Sequence, residues 1–192
     1  MTIYYAVYDE WYEKILIGGN KHKKLHRKCL LMKAKTKIGT KMTDFIYARD
    51  LISNETLLND MLQLVERVYD SEHAGLFLEE MRETPDAIVA FIGLDNKIIG
   101  LGCICESHIS FGVYELFWGM VDEEYRGCEY GKQLVKQRIE FVKANREGKS
   151  KPTDIIAITK SPWHLERCGF VTITETNSGE GEVLMYRKLN EK

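Results

Sequence analysis

The chain has 192 residues, a formal net charge of −2, 44% hydrophobic residues and 29% charged residues. These values are typical of one globular domain with a sizeable hydrophobic core, and no apolar run approaches the ~18 residues that a membrane span needs. The charge is uneven, because residues 14–41 contain ten Lys or Arg and no Asp or Glu. The sequence therefore predicts a basic N-terminal extension (residues 1–42) followed by an acidic domain (residues 43–192).

The extension is the first predicted element, and its pattern indicates a small hairpin followed by a basic helix or arm. Two functions stay open for it. One is a solvated extension that decorates the domain, and the other is contact with nucleic acid or another polyanion through residues 14–41.

The opening segment and the cysteines both indicate a cytoplasmic protein. The start, "MTIYYAVYDEWYEK", lacks the basic and apolar regions of a signal peptide. The five cysteines are odd in number and scattered along the chain, which is typical of reduced thiols rather than of a disulfide framework. We expect no membrane association, and either a monomer or a homodimer.

From Thr43 onward, strands and helices are predicted to alternate. The predicted strands are 44–51, 86–95, 97–108, 113–122, 153–160, 169–176 and 182–189. The predicted helices are 55–70, 73–83, 131–146 and 161–168. Asp95-Asn96 is a hairpin signal between two apolar runs. This order predicts an α/β fold with a mixed central sheet and helices on both faces.

The stretch "VDEEYRGCEYGKQL" (121–134) joins a strand to a helix through a glycine-containing turn. Gly127 and Gly131 allow a close backbone approach, and Arg126 adds positive charge. A helix N-terminus presents free N–H groups to an anion such as pyrophosphate. Glu129 does not fit this pattern. The alternative is a tight turn with no anion function.

Two motifs together, "RGCEYG" (126–131) and "LERCGF" (165–170), resemble the GNAT superfamily of acyl-CoA-dependent N-acetyltransferases. The family signature is Arg/Gln-x-x-Gly-x-Gly/Ala, so Glu129 stands where the family has its first glycine. The resemblance extends from about residue 43 to 190. It implies a mostly antiparallel sheet in which the fourth strand splays from the fifth, with acetyl-CoA as co-substrate. The residues that it implies for cofactor binding are Met120, Val121, Arg126, Gly127, Cys128, Glu129, Tyr130, Gly131 and Lys132.

The resemblance also suggests catalytic residues. Glu115 matches a strand glutamate that acts as general base in some members, and apolar neighbours could raise its pKa. It could instead orient the substrate. Leu165 stands where the family often has a proton-donating tyrosine, so the adjacent His164 is a candidate general acid, with Tyr130 and Cys168 as alternatives. No histidine pattern indicates a metal site.

The sequence therefore predicts an N-acetyltransferase that moves an acetyl group from acetyl-CoA to a primary amine of a small molecule or a protein. The acidic segments 70–73 and 175–182 favour a cationic amine. The alternative is a catalytically inactive GNAT-fold binding or regulatory module, directed to nucleic acid by the basic extension. Glu129 and Leu165 favour that alternative.

Overall fold

The computed structural model describes residues 43–107, 110–144, 152–176 and 181–189. The strands are β1 (Asp44–Tyr47), β2 (Ile88–Leu94), β3 (Lys97–Glu106), β4 (Val113–Val121), β5 (Asp154–Thr159), β6 (Val171–Glu175) and β7 (Val183–Lys188). The helices are α1 (Ala48–Ile52), α2 (Glu55–Val68), α3 (Ser71–Glu83), α4 (Tyr130–Ala144) and α5 (Pro162–Glu166), with a 3₁₀ turn at Glu123–Tyr125. The basic extension predicted for residues 1–42 lies outside the described residues, as do the predicted ends at His108 and at 145–146.

The strands form one mixed sheet in the order β1-β2-β3-β4-β5-β7-β6. Among the described strands, the β4–β5 pair is parallel and the other neighbouring pairs are antiparallel. The helices α2 and α3 cover one face, where Met61 and Phe77 pack against Leu101 and Phe117. The helix α4 covers the other face, where Val135 and Ile139 pack with residues of β3, β4 and β5. This architecture confirms the predicted fold class.

The hairpin between β2 and β3 is confirmed at Asp95-Asn96. Both residues have left-handed backbone conformations, with φ of 50° and 61°. Two consecutive positive φ values are what a type I′ turn needs, and Asn and Asp adopt them more readily than most residues.

The strand predicted for 44–51 is wrong in its second half. β1 ends at Tyr47, and residues 48–52 form the helix α1. Only the first half of the segment carries aromatic and β-branched residues, whereas "ARDLI" contains good helix formers. Ala48 and Leu51, three residues apart, are fully buried, so one face of α1 packs into the core.

The helix predicted for 131–146 corresponds to α4, and its inward face buries Leu134, Val135, Ile139 and Val142. The same face also buries Arg138, which is 2% exposed and which the apolar pattern did not predict. Its guanidinium donates to backbone carbonyl oxygens, which makes burial of the charge affordable in free energy. These carbonyls belong to Cys103 of β3 and Phe117 of β4, and both residues lie beside the candidate active site.

Candidate active site

The strands β4 and β5 separate halfway along their length. Their pairing runs only from Val113 opposite Asp154 to Leu116 opposite Ala157, while β4 continues to Val121. The β5-facing edge of β4 is therefore unpaired from Phe117 onward. This opening lies at the carboxyl ends of two parallel strands, where α/β sheets commonly bind ligands. It confirms the predicted splay.

A β-bulge marks the point of separation. Leu101 pairs with Met120, but Cys103 pairs with Phe117, so Trp118 and Gly119 together stand opposite one residue of β3. Trp118 has a φ of 49°, which is unfavourable for a residue with a bulky side chain. Its indole Nε1 donates to Glu80 Oε2 on α3 at 2.7 Å.

Arg138 supports the bulge from the opposite face of the sheet. Its Nη1 donates to the carbonyl oxygen of Cys103 at 2.7 Å and to that of Phe117 at 3.3 Å. The guanidinium lies so close to Gly102 that a Cβ there would be 2.6 Å from the Arg138 Cζ. A side chain at this position would therefore displace either the guanidinium or the strand.

The strand β4 leads into a turn that begins at Asp122. The Asp122 side chain, 7% exposed, pairs with Lys97 Nζ at 2.9 Å and with Arg67 Nε at 3.1 Å, and its carboxylate also accepts from the Glu124 backbone N–H. Burial raises the pKa of Asp122, but hydrogen bonds from Lys97 and the Glu124 backbone outweigh burial and hold it below its ordinary value. Three elements are thus tied to the base of the turn.

The turn itself contains two left-handed residues. Gly127 has a φ of 77° and Glu129 a φ of 64°. The second value explains why a glycine suits the Glu129 position. Gln133 N–H donates to the Glu129 carbonyl at 2.9 Å, so α4 starts directly after it. The Glu129 side chain is exposed, which places its carboxylate in solvent.

The other predicted cofactor-binding residues surround this helix start. Arg126 Nε donates to the Val121 carbonyl at 3.2 Å, which ties the turn back to the end of β4. Met120 and Val121 are buried. Tyr130 and Gly131 are half-buried and Lys132 is exposed, and burial raises the pKa of Tyr130.

Cys128 lies in the same turn, between Gly127 and Glu129. Cys103, Cys105 and Cys168 carry thiols and are not in disulfides.

Glu115 lies in the paired half of β4, opposite Cys105 on β3 and Ile156 on β5. Its side chain is half-buried. Glu80 on α3 also belongs to this region, and the sequence pattern did not predict it as a site residue. It interacts electrostatically with Glu115. Burial raises the pKa of Glu80, and the charges of Glu115 and Glu83 raise it further, against the hydrogen bond from Trp118. Two carboxylates therefore influence each other beside the separating strands.

His164 lies on α5, after the carboxyl end of β5. Its ring stands edge-on to Trp163 at 5.6 Å between centroids, and α5 packs on α4, β6 and β7. The neighbouring Leu165 is a core residue, 4% exposed, and its carbonyl accepts from the N–H groups of Cys168 and Phe170. Its aliphatic side chain fits this core, where a tyrosine hydroxyl would need a partner.

In the part of the chain that the structure describes, no three His, Cys, Asp or Glu side chains gather in a way that could hold a metal ion. Within the same residues, no helix has the length and apolar character to cross a membrane.

The comparison with protein families identifies one match. The model of the acetyltransferase (GNAT) family matches residues 55–153, a segment that contains α2, the β4 bulge and the turn before α4. No curated protein matches the sequence at a significant level.

Solved structures share the fold at low sequence identity. The aminoglycoside 6'-N-acetyltransferase from Enterococcus faecium is 16% identical, with a TM-score of 0.60 over 73% of this chain and 94% of that chain. An aminoglycoside 6'-N-acetyltransferase complexed with coenzyme A is 17% identical, with a TM-score of 0.58 over 73% and 94%. An acyl-CoA N-acyltransferase from Pseudomonas aeruginosa is 20% identical, with a TM-score of 0.57 over 76% and 98%.

Proposed function

The chain belongs to the acetyltransferase (GNAT) family, and we propose that it transfers an acetyl group from acetyl-CoA to a primary amine by direct attack. The observation that carries this proposal is the separation of β4 from β5 after Leu116, at an opening that leads into the turn before α4. The opening and the turn are continuous along β4. One extended ligand with an anionic end could therefore occupy both.

The residues of the turn fit the pyrophosphate of acetyl-CoA. The left-handed φ values at Gly127 and Glu129 bend the chain so that it enters the 15-residue helix α4 directly. The first N–H groups of α4 have no partners within the helix and carry partial positive charge. Arg126 and Lys132 add full positive charges. Acetyl-CoA would supply the activated acetyl thioester when bound.

Glu129 is compatible with this role because phosphate recognition by main-chain N–H groups does not depend on the side chain. A left-handed backbone costs a non-glycine residue ~1–2 kcal/mol, which the surrounding turn must offset. The exposed carboxylate repels an anion ~7 Å away by only about 0.5–1 kcal/mol in a largely aqueous environment. Glu129 should weaken acetyl-CoA binding without preventing it.

Met120 and Val121 would flank the pantetheine arm. Their side chains are buried, so the groups that they offer are backbone groups on the unpaired edge of β4. Because the Val121 carbonyl already accepts from Arg126, the guanidinium also fixes the point where this edge meets the turn.

Glu115 is the proposed general base. An amine attacks a thioester only in its neutral form, so a group must remove a proton from the ammonium. Glu115 lies next to the last paired residue of β4 and beside the opening. The negative charge of Glu115 beside the opening also favours a cationic acceptor, such as a polyamine, an aminoglycoside or a lysine side chain.

His164 is the proposed general acid, because it adjoins Leu165, whose side chain has no ionisable proton to donate. The thiolate of CoA is an adequate leaving group without an acid, so His164→Gln should lower turnover less than Glu115→Gln does. The monomeric or dimeric state, the cytoplasmic location and any contact of residues 14–41 with nucleic acid remain predictions.

The experiment that tests the function measures release of free CoA thiol from acetyl-CoA in the presence of spermidine, kanamycin or a lysine-containing peptide. We expect amine-dependent thiol release with at least one acceptor. Glu115→Gln should lower kcat several-fold or more and leave acetyl-CoA binding nearly unchanged. Glu124→Gln, an exposed glutamate of the 3₁₀ turn, is the matched control and should have wild-type activity.

Two results would count against the proposal. Saturable acetyl-CoA binding without transfer to any acceptor would favour the inactive binding module. Equal activity of Glu115→Gln and the wild type across pH would remove Glu115 from the mechanism.

A further inference from the structure

The bulge in β4 combines an unfavourable backbone conformation with buried polar contacts. Trp118 is 2% exposed and has a φ of 49°. Such a residue keeps a left-handed conformation only when its surroundings hold it there. The contacts of its side chain therefore determine the path of β4 at the point where that strand leaves β5.

Those contacts come from the α2–α3 face of the sheet. The indole meets the Phe77 ring edge-on at 5.5 Å between centroids, and the Tyr69 ring at 6.5 Å. These ring contacts are apolar and leave the orientation about the indole N–H undefined. The 2.7 Å hydrogen bond to Glu80 Oε2 is directional, and its acceptor is a carboxylate, which makes it stronger than a neutral bond.

The opposite face of the same bulge is held by α4. The Arg138 guanidinium donates to the carbonyls of Cys103 and Phe117 and lies 3.5 Å from where a Cβ of Gly119 would be. The backbone next to Trp118 is thus held by α4 on one face of the sheet, while the Trp118 side chain is held on the α2–α3 face. Helices on the two faces of the sheet jointly define the bulge.

We propose that Glu80 is a positioning residue for acetyl transfer, because its carboxylate holds Trp118 and thereby fixes the unpaired edge of β4. The inference rests on the proposed function, in which that edge lies along acetyl-CoA. Glu80 acts through the indole rather than on the acceptor amine. A neutral acceptor of the same shape should therefore replace it.

The test compares two substitutions of similar length. Glu80→Gln keeps a carbonyl oxygen that can accept from the indole, whereas Glu80→Met removes the acceptor and keeps the volume and the helix propensity. We expect kcat/KM for acetyl-CoA to fall about tenfold in Glu80→Met, as for loss of one buried hydrogen bond to a charged group, and about twofold or less in Glu80→Gln. Glu79→Met, on the exposed side of α3, is the matched control and should not change it.

A double-mutant cycle with Trp118→Phe tests the route of the effect. Phenylalanine keeps a ring but lacks the donor, so the single substitution should resemble Glu80→Met, and Glu80→Met should cause no further loss in the Trp118→Phe background. The near-UV circular dichroism that disappears in Trp118→Phe should also change in Glu80→Met and persist in Glu80→Gln.

The outcomes separate this inference from the function on which it rests. Absence of acetyl-CoA binding by the wild-type protein in calorimetry would contradict the proposed function. If the wild-type protein binds acetyl-CoA, three results would each overturn the positioning role of Glu80. They are an unchanged kcat/KM in Glu80→Met, equal losses of kcat/KM in Glu80→Gln and Glu80→Met, and additive losses of kcat/KM in the double-mutant cycle.

Discussion

Gly102→Ala tests the confinement of Arg138 under the β4 bulge. The added Cβ would lie 2.6 Å from the Arg138 Cζ and 2.8 Å and 2.9 Å from its two terminal nitrogens. Real Cβ atoms do not approach other heavy atoms so closely, so either the guanidinium or the strand must move. The guanidinium cannot move without weakening its bonds to Cys103 and Phe117.

The size of the effect follows from these contacts. Overpacking of a well-packed core costs ~1–3 kcal/mol, and a weakened hydrogen bond from a buried charged group costs about 1.5–3 kcal/mol. Some relaxation reduces the sum, so we expect a loss of ~2–4 kcal/mol. For a chain of this length, that corresponds to a decrease in Tm of about 5–15 °C.

The assay is thermal unfolding followed by circular dichroism, with Gly93→Ala as the control. Gly93 also lies in a strand of the sheet, has no heavy atom within 4 Å of an added Cβ and does not have a left-handed φ. Its substitution should change Tm by less than about 2 °C. In an Arg138→Met background, Gly102→Ala should cost little, because the group that it displaces is gone. A Tm for Gly102→Ala within ~2 °C of the wild type would refute the reasoning.

Three further predictions concern the turn and the extension. Glu129→Gly and Glu129→Gln should both tighten acetyl-CoA binding by about twofold to fivefold at low salt, because each removes the repulsion between the Glu129 carboxylate and the pyrophosphate. Calorimetry measures the affinity, and weaker binding by both variants would contradict the prediction. The contribution of Asp122 to stability should be fully present above the ordinary aspartate pKa of 3.8 and should be lost as the pH falls through the lower pKa of Asp122 in the folded protein. In thermal unfolding, Asp122→Asn should therefore have a lower Tm than the wild type at pH 7 and the same Tm near pH 2. Deleting residues 1–42 should leave a domain that still melts cooperatively, and an unfolded truncated chain would show that the domain boundary is wrong. Any electrophoretic shift of DNA or RNA by the full chain should weaken as the salt concentration rises and should disappear when residues 1–42 are deleted.

The elements that the sequence predicted well have local causes. The Asp95-Asn96 turn needs two left-handed residues, and the apolar spacing of the 15-residue helix α4 repeats over about four turns of sequence. The boundary near Tyr47 was missed because a short helix of five residues has too little periodicity to distinguish it from the end of a strand.

The features that could not be predicted are imposed by tertiary contacts. A tryptophan gives no sign of a left-handed conformation, and Trp118 adopts one because Glu80 and the neighbouring rings hold it. The sequence pattern predicts that Arg138 is a solvent-exposed residue of an amphipathic helix. It is buried instead, because two backbone carbonyls of the sheet accept hydrogen bonds from its guanidinium. Glu79 and Glu80 are adjacent glutamates, and only the packing of α3 decides which of them faces β4.

The measurement that tests the central claim most directly is a calorimetric titration of the purified protein with acetyl-CoA, in parallel with Arg126→Ala. The account predicts saturable binding at a single site, with weaker binding by the variant because Arg126 provides charge at the turn and ties it to Val121. Lack of binding by the wild-type protein, or equal affinity of the two proteins, would contradict it.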